Sequence, residues 1–333
     1  MRIIKPNYYD SFRCIADRCP DSCCKEWDVQ VVPESAAYYR SLPGALGDRL
    51  RQALQEEDGE TVMTIEDGRC PMWQEDGLCR IQAELGEAAL CHTCRQFPRL
   101  THDYGSFQEW GLELSCPEAA RIILENPDPV MVCQTLPGNS SPDYDPTAME
   151  ELLMSREIMY SIIREKDFSI PEMLAMALIY GYQVQAALDG EENGLPDDVQ
   201  SLETARKIAQ PGSMQEILDF FKTLEILTPQ WEELLAAPTP TVWDDTADRA
   251  IARYFVDRYW LQAVSDYDIL SRIRLMVVSC LVIHTVGQDI CRTAQLYSKE
   301  IENSIENLEA LLDATWTHPA FHDNILFGLL LNK

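Results

Sequence analysis

Several familiar signatures of chemistry are missing from this chain. It has no G-x-G-x-x-G, so neither a dinucleotide fold nor the glycine-rich loop of Rossmann-type enzymes is visible. It has no P-loop and no H-E-x-x-H. Glycine is scarce, 15 in 333 residues, which leaves little room for phosphate-cradling loops. C-x3-C-x2-C is missing too: Cys19-x3-Cys23 supplies only its first step, and Cys24 follows at once. Positive charge is short as well, with 27 Lys+Arg against 55 Asp+Glu and a net charge of −28. A field of that sign repels phosphate backbones and anionic lipid heads, so neither nucleic acid nor a membrane surface is an expected partner. The longest apolar run, 275–287, contains Ser279 and His284 and is too short to span a bilayer. Residues 1–6 carry charge and no apolar core, so no secretory signal is visible and a cytoplasmic protein is expected.

What is present is ordinary globular composition, 46% hydrophobic and 25% charged, at a length that suits two domains. Twelve cysteines are distributed unevenly. Ten lie in residues 1–133, and only Cys280 and Cys291 lie beyond. In a reducing compartment such density reads as metal or iron–sulfur ligation rather than as a disulfide frame.

The organisation follows the same division. Residues 1–133 are rich in turns, with Pro and Gly beside the cysteines, and predict an irregular cysteine-rich metal- or Fe-S-binding domain held by its metal as much as by apolar burial. Short helices are predicted at 34–41, 46–57, 80–94 and 117–125, and strands around 28–32, 62–65 and 107–114. Residues 126–146, with five prolines in 21, predict a linker without regular structure. Residues 147–333 show helical periodicity throughout and predict an all-α domain, making the fold class mainly α. Its helices are expected at 148–164, 171–188, 197–209, 213–226, 229–236, 246–263, 267–286, 289–313 and 319–330. This part is the more acidic, at −18 against −10.

Three sulfur groups carry the chemistry: Cys14-x4-Cys19-x3-Cys23-Cys24, then Cys70-Pro71-x7-Cys79, then Cys91-His92-Thr93-Cys94 with Cys116-Pro117 further on. The two-residue gap of Cys91 and Cys94 lets both sulfurs converge on one ion in a tight turn. Nine cysteines exceed one four-ligand site, so either two sites exist or some are bystanders. A zinc knot and an iron–sulfur cluster both fit the spacing. Arg95 and Arg99 flank the third group and could neutralise a thiolate-rich centre. Cys133, Cys280 and Cys291 read as inert.

These blocks resemble the flagellin lysine-N-methylase family. The resemblance rests on Phe12-Arg13-Cys14, Cys19-Pro20-Asp21-Ser22-Cys23-Cys24-Lys25-Glu26-Trp27, Cys70-Pro71-Met72-Trp73 and Asp76-Gly77-Leu78-Cys79-Arg80-Ile81-Gln82. It continues through Leu90-Cys91-His92-Thr93-Cys94-Arg95-Gln96-Phe97-Pro98-Arg99 and Leu114-Ser115-Cys116-Pro117-Glu118-Ala119-Ala120-Arg121, and 297–303 looks like the family's C-terminal helices. The cysteine-rich part is similar to zinc- or iron-chelating domains with a C-x-x-C-x-x-C-C pattern, with gaps of four and three here in place of two and two. The resemblance implies methyl transfer from S-adenosylmethionine to lysine amines of flagellin or a similar protein, with a [4Fe-4S] cluster. The cluster ligands would come from Cys14, Cys19, Cys23, Cys24, Cys70, Cys79, Cys91, Cys94 and Cys116, with Zn2+ as the alternative metal. Tyr104 and Glu109 are then candidate proton acceptors, and Arg95, Arg99 and Trp110 candidate cofactor contacts. The alternative from another class is a non-enzymatic zinc- or iron-chelating interaction module.

Overall fold

The computed structural model describes residues 1–24, 29–57, 59–66, 68–137, 141–191 and 201–332. Lys25, Glu26, Trp27 and Asp28 of the first sulfur block, 138–140 of the expected linker and 192–200, including the start of the helix expected at 197, lie outside the described residues. The chain divides into two compact units. The larger comprises Met1–Ser11, Thr101–Ser115 and Ala119–Lys333, and the smaller Phe12–Leu100 and Cys116–Glu118.

That division is not the one at residue 133 that composition suggests, and strand pairing is the reason. In the larger unit β1 (Arg2–Pro6) pairs in parallel with β6 (Phe107–Leu112) and antiparallel with β7 (Met131–Thr135). With β5 (Arg99–Asp103) the sheet order is β5-β6-β1-β7. Both ends of the N-terminal region are thereby tied to the helical part of the chain, and all of the smaller unit but Cys116–Glu118 is an insertion between β1 and β6. The expected linker is corrected by the same pairing: its prolines flank Met131–Thr135, whose amides are free to bond β1.

The larger unit is mainly helical: α6 (Pro146–Arg164), α7 (Ile170–Leu188), α8 (Leu202–Ile208), α9 (Met214–Phe221), α10 (Pro229–Ala236), α11 (Ala247–Tyr259), α12 (Ile269–Val286), α13 (Ile290–Ile301), α14 (Ile305–Thr317) and α15 (Asp323–Leu331). Their ends follow local chemistry. Asp145 caps α6 by accepting from Thr147 N (2.8 Å) and Ala148 N (3.3 Å). Ser169 and Glu172 form a capping box at α7, with Pro171 in its first turn. The single helix expected over 289–313 is two, because Ser304 accepts from Asn307 N (3.2 Å) and starts α14 afresh. At the centre lies α12, packed by α7, α11, α13 and α14. A Cβ on Gly181 of α7 would lie 2.6 Å from Ile273 of α12, so the missing side chain permits their close approach. At 18 residues α12 is longer than the apolar run read from sequence, long and apolar enough to cross a membrane, yet 83% of it is buried inside the unit.

The smaller unit is not irregular. It holds α1 (Pro33–Ser41), α2 (Gly44–Ala53), α3 (Arg80–Leu85) and α4 (His92–Gln96), and a three-stranded sheet β2-β4-β3 of Val29–Gln30, Glu60–Met63 and Leu54–Glu57. The helix expected over 46–57 stops at Ala53, because Leu54–Glu57 pairs with β4 and tertiary pairing overrides local helix preference. The helix expected over 80–94 is broken at Gly86, whose φ of +83° suits glycine. Helix α5 (Pro117–Leu124) follows Cys116.

Candidate metal centre

Cys14, Cys19, Cys23, Cys24, Cys70, Cys79, Cys91, Cys94 and Cys116 all fall in the smaller unit. Its core of Val29, Val31, Tyr39, Leu50, Met63, Met72 and Ile81 is small, and Cys70 and Cys91 are buried in it, with Cys24, Cys79 and Cys94 packed against it.

Local backbone chemistry brings the sulfurs together. From Cys70 to Cys79 the chain reverses: Trp73 N donates to Cys70 O (2.9 Å), Gly77 N to Gln74 O (2.9 Å) and Gln74 N to Leu78 O (3.0 Å). Gly77 takes φ +82°, which a side chain would resist, and Trp73 and Cys79 form a bridge across the turn. Cys70 N donates to Cys24 O at 2.7 Å, which fixes the first group to the second. Cys79 precedes α3 and Cys91 precedes α4, each at the N-cap position.

Four of the sulfurs receive backbone N–H groups. Met72 donates to Cys70, Ile81 and Gln82 to Cys79, and Thr93 and Cys94 to Cys91. Ala16 N donates to Cys14 Sγ at 3.4 Å, with Ala16 held at φ +51°. Amide donors aimed at sulfur favour the thiolate, the form that ligates metals.

The sulfurs also act on one another. Cys24 is hydrogen-bonded with Cys23, Cys70 and Cys79, and Cys91 with Cys94. Electrostatic interactions extend this web to Cys14 and Cys116 through Cys23, and tie Cys94 to Cys23 and Cys24. Protons are shared unevenly as a result. The Cys94 thiol donates to Cys91 and draws it down to about 7, helped by the two amides and by the charge of Arg95. Cys24 is lowered chiefly by its bond from Cys23, and Cys70 by its bond from Cys24. Cys23, Cys79 and Cys94 are pushed up in return, first by those same hydrogen bonds and then by burial.

Among the described residues no three His, Cys, Asp or Glu side chains stand in metal-ligating geometry, and the sulfurs face one another through hydrogen bonds. The donor set nevertheless fits a soft, sulfur-preferring metal or cluster. It is all sulfur, crowded and supplied with amide donors.

The remaining candidates divide between the units. Arg95 is exposed in α4, and the Arg99 guanidinium lies 5.3 Å over the Phe12 ring. Tyr104, Glu109 and Trp110 belong to the larger unit. Glu109 is bound on both oxygens by Arg156 of α6, at 2.7 and 2.9 Å, with both side chains 7% exposed. Tyr104 stacks on Phe107 with centroids 5.0 Å apart, and burial, then the Glu109 charge, pushes its phenol up. Trp110 donates through Nε1 to Gln108 Oε1 at 3.1 Å.

One further constellation of the larger unit escaped the sequence reading. Glu302, just past α13, lies 3.1 Å from Arg258 and accepts from Tyr254 (2.9 Å) and Tyr259 (2.7 Å), with its side chain fully buried. Apart from Ser298, which donates to it from four residues back, these partners are 43 to 48 residues away, so only its place in the stretch 297–303 could have drawn attention to it.

A mainly α chain with nine cysteines gathered in one small unit is the class that these observations define. Over 133 residues, 38% of its length, the chain is 34% identical to the flagellar biosynthetic protein FliU of Salmonella muenchen and covers 79% of that protein. It belongs to that family. Over the same length it is 32% identical to the lysine-N-methylases of Salmonella typhimurium and Salmonella choleraesuis, and the match spans 33% of each of those proteins. No family model matches the chain. No solved structure matches it either.

Proposed function

We propose that this chain is a protein-lysine N-methyltransferase that takes its methyl group from S-adenosylmethionine, acts on flagellin or a similar protein, and carries a [4Fe-4S] cluster on its thiols. The observation that carries the reading is the web of eight sulfurs with their amide donors, in a chain related to two proteins named lysine-N-methylase.

In such a transfer the lysine nitrogen attacks the sulfonium methyl in line, the N–C bond forming as the S–C bond breaks. The amine must arrive neutral, in a site that orients it and excludes water. Three of these thiols would hold the cluster and leave its fourth iron free of cysteine, and Cys24, Cys70 and Cys91, already drawn toward thiolate, are the first choices. When bound, a cluster with one iron free of cysteine supplies a position for the amino and carboxylate groups of the methyl donor. Arg95 adds positive charge beside Cys91. Glu109 would take the lysine proton only by releasing Arg156, and Tyr104 would enter as a neutral phenol. The acidic character of the chain suits a lysine-bearing partner.

The amide–sulfur bonds around so small a core also favour a second reading, a chelating module whose zinc or iron only fixes the fold. Incubation of anaerobically purified protein with methyl-labelled S-adenosylmethionine and flagellin separates the two. Label on flagellin lysines, lost in Cys70→Ser and Cys91→Ser, supports the enzyme. Metal-replete protein that transfers no label leaves the module.

A further inference from the structure

Lys5 is out of character for its position. On β1 it follows Ile3 by two residues, on the same face, and both are buried. Its ammonium is not left alone there. Nζ lies 2.8 Å from each carboxylate oxygen of Asp10, 5.5 Å from the centroid of the Tyr9 ring and 5.6 Å from that of Trp110. The two rings stand 5.6 Å apart at 40° to one another. Each wall is fixed separately: Trp110 by its bond to Gln108, and Tyr9 and Asp10 by the short 3-10 turn Tyr9–Ser11. The Asp10 side chain is 71% exposed, so the arrangement opens to solvent at the carboxylate.

Two aromatic faces and a carboxylate around one nitrogen make the composition that recognises alkylammonium groups, because ring quadrupoles and a carboxylate attract a cation whatever its methylation state. We propose that Tyr9, Trp110 and Asp10 form a recognition cage for the side-chain ammonium of a lysine or methylated lysine on a protein segment, and that Lys5 is its internal occupant. An incoming lysine must displace Lys5, so the strand carries its own competitor. The cage takes a cation whereas methyl transfer consumes a neutral amine. It is therefore a docking subsite and not the transfer centre. Naming the ligand as lysine rests on the methyltransferase reading, but the affinity of the cage for alkylammonium does not.

The test uses tetramethylammonium chloride on the full chain, with sodium chloride at equal ionic strength as control. Lys5→Ala is expected to bind the probe about tenfold more tightly than the wild-type protein, and the gain to disappear in K5A/W110L. Equal affinity in folded K5A and wild type overturns the cage. Should K5A fail to fold, the wild-type protein decides by acetylation and peptide mass spectrometry, with exposed Lys166 and Lys207 as references. Tetramethylammonium is expected to raise Lys5 labelling while leaving the references unchanged, and no rise overturns the proposal. Neither measurement involves methyl transfer, so a failed cage and a failed methyltransferase reading give different results.

Discussion

The Cys91 and Cys94 sulfurs are hydrogen-bonded across the first turn of α4, and the bond draws one toward thiolate while holding the proton on the other. The same division recurs between Cys24 and Cys23. A cation binding here would replace shared protons, and metal affinity should therefore fall as pH drops. Cys70→Ser and Cys91→Ser should each lower bound metal per chain and destabilise the smaller unit. Cys133→Ser, at an exposed position of β7 in the larger unit, should do neither. Metal analysis with thermal unfolding checks this.

Gly77 allows the same site to be tested without touching a sulfur. An alanine Cβ there would meet only Asp17 Cα at 3.7 Å, so its cost is conformational. Gly77→Ala should cost about 1–2 kcal/mol in the turn and weaken metal retention by spreading Cys70 from Cys79. Denaturant unfolding and metal competition with a chelator read the two effects.

Arg156 and Glu109 are buried together, 47 residues apart in sequence. Glu109→Gln or Arg156→Met alone should cost about 3–5 kcal/mol by stranding the other charge, whereas E109L/R156M should recover most of that loss. Equilibrium unfolding of the two single variants and the double variant gives the answer.

Asp248 is buried on α11, accepting from Asp244 N at 2.7 Å, and burial raises its pKa from 3.8 to about 7. Folding therefore favours the protonated acid. Its contribution is fully present below pH 4 and is lost as pH rises through 7. Between those values the wild-type protein should lose on the order of 2–4 kcal/mol relative to Asp248→Asn. Parallel stability curves for the two proteins would contradict this.

What could be read in advance follows from the range of each interaction. The helices from α6 to α12 repeat with a period visible within one segment, and α7 even announces its start through Ser169, Pro171 and Glu172. The Cys blocks were legible because ligand spacing is local. Strands β1 and β7 were not, since Ile3 meets Gln108 and Gln134 and nothing near Ile3 says so. The helix-favouring segment 54–57 is a strand only because β4 is beside it. The Arg258, Tyr254 and Tyr259 contacts of Glu302 and the Trp110 wall beside Lys5 likewise come from distant residues. Which sulfurs share protons also depends on how the turns close, which spacing alone does not encode.

The most direct measurement is iron, acid-labile sulfide and zinc per chain on anaerobically purified protein. About four irons with matching sulfide are expected, lost together in Cys70→Ser and Cys91→Ser. Colourless protein holding only zinc would contradict the cluster reading.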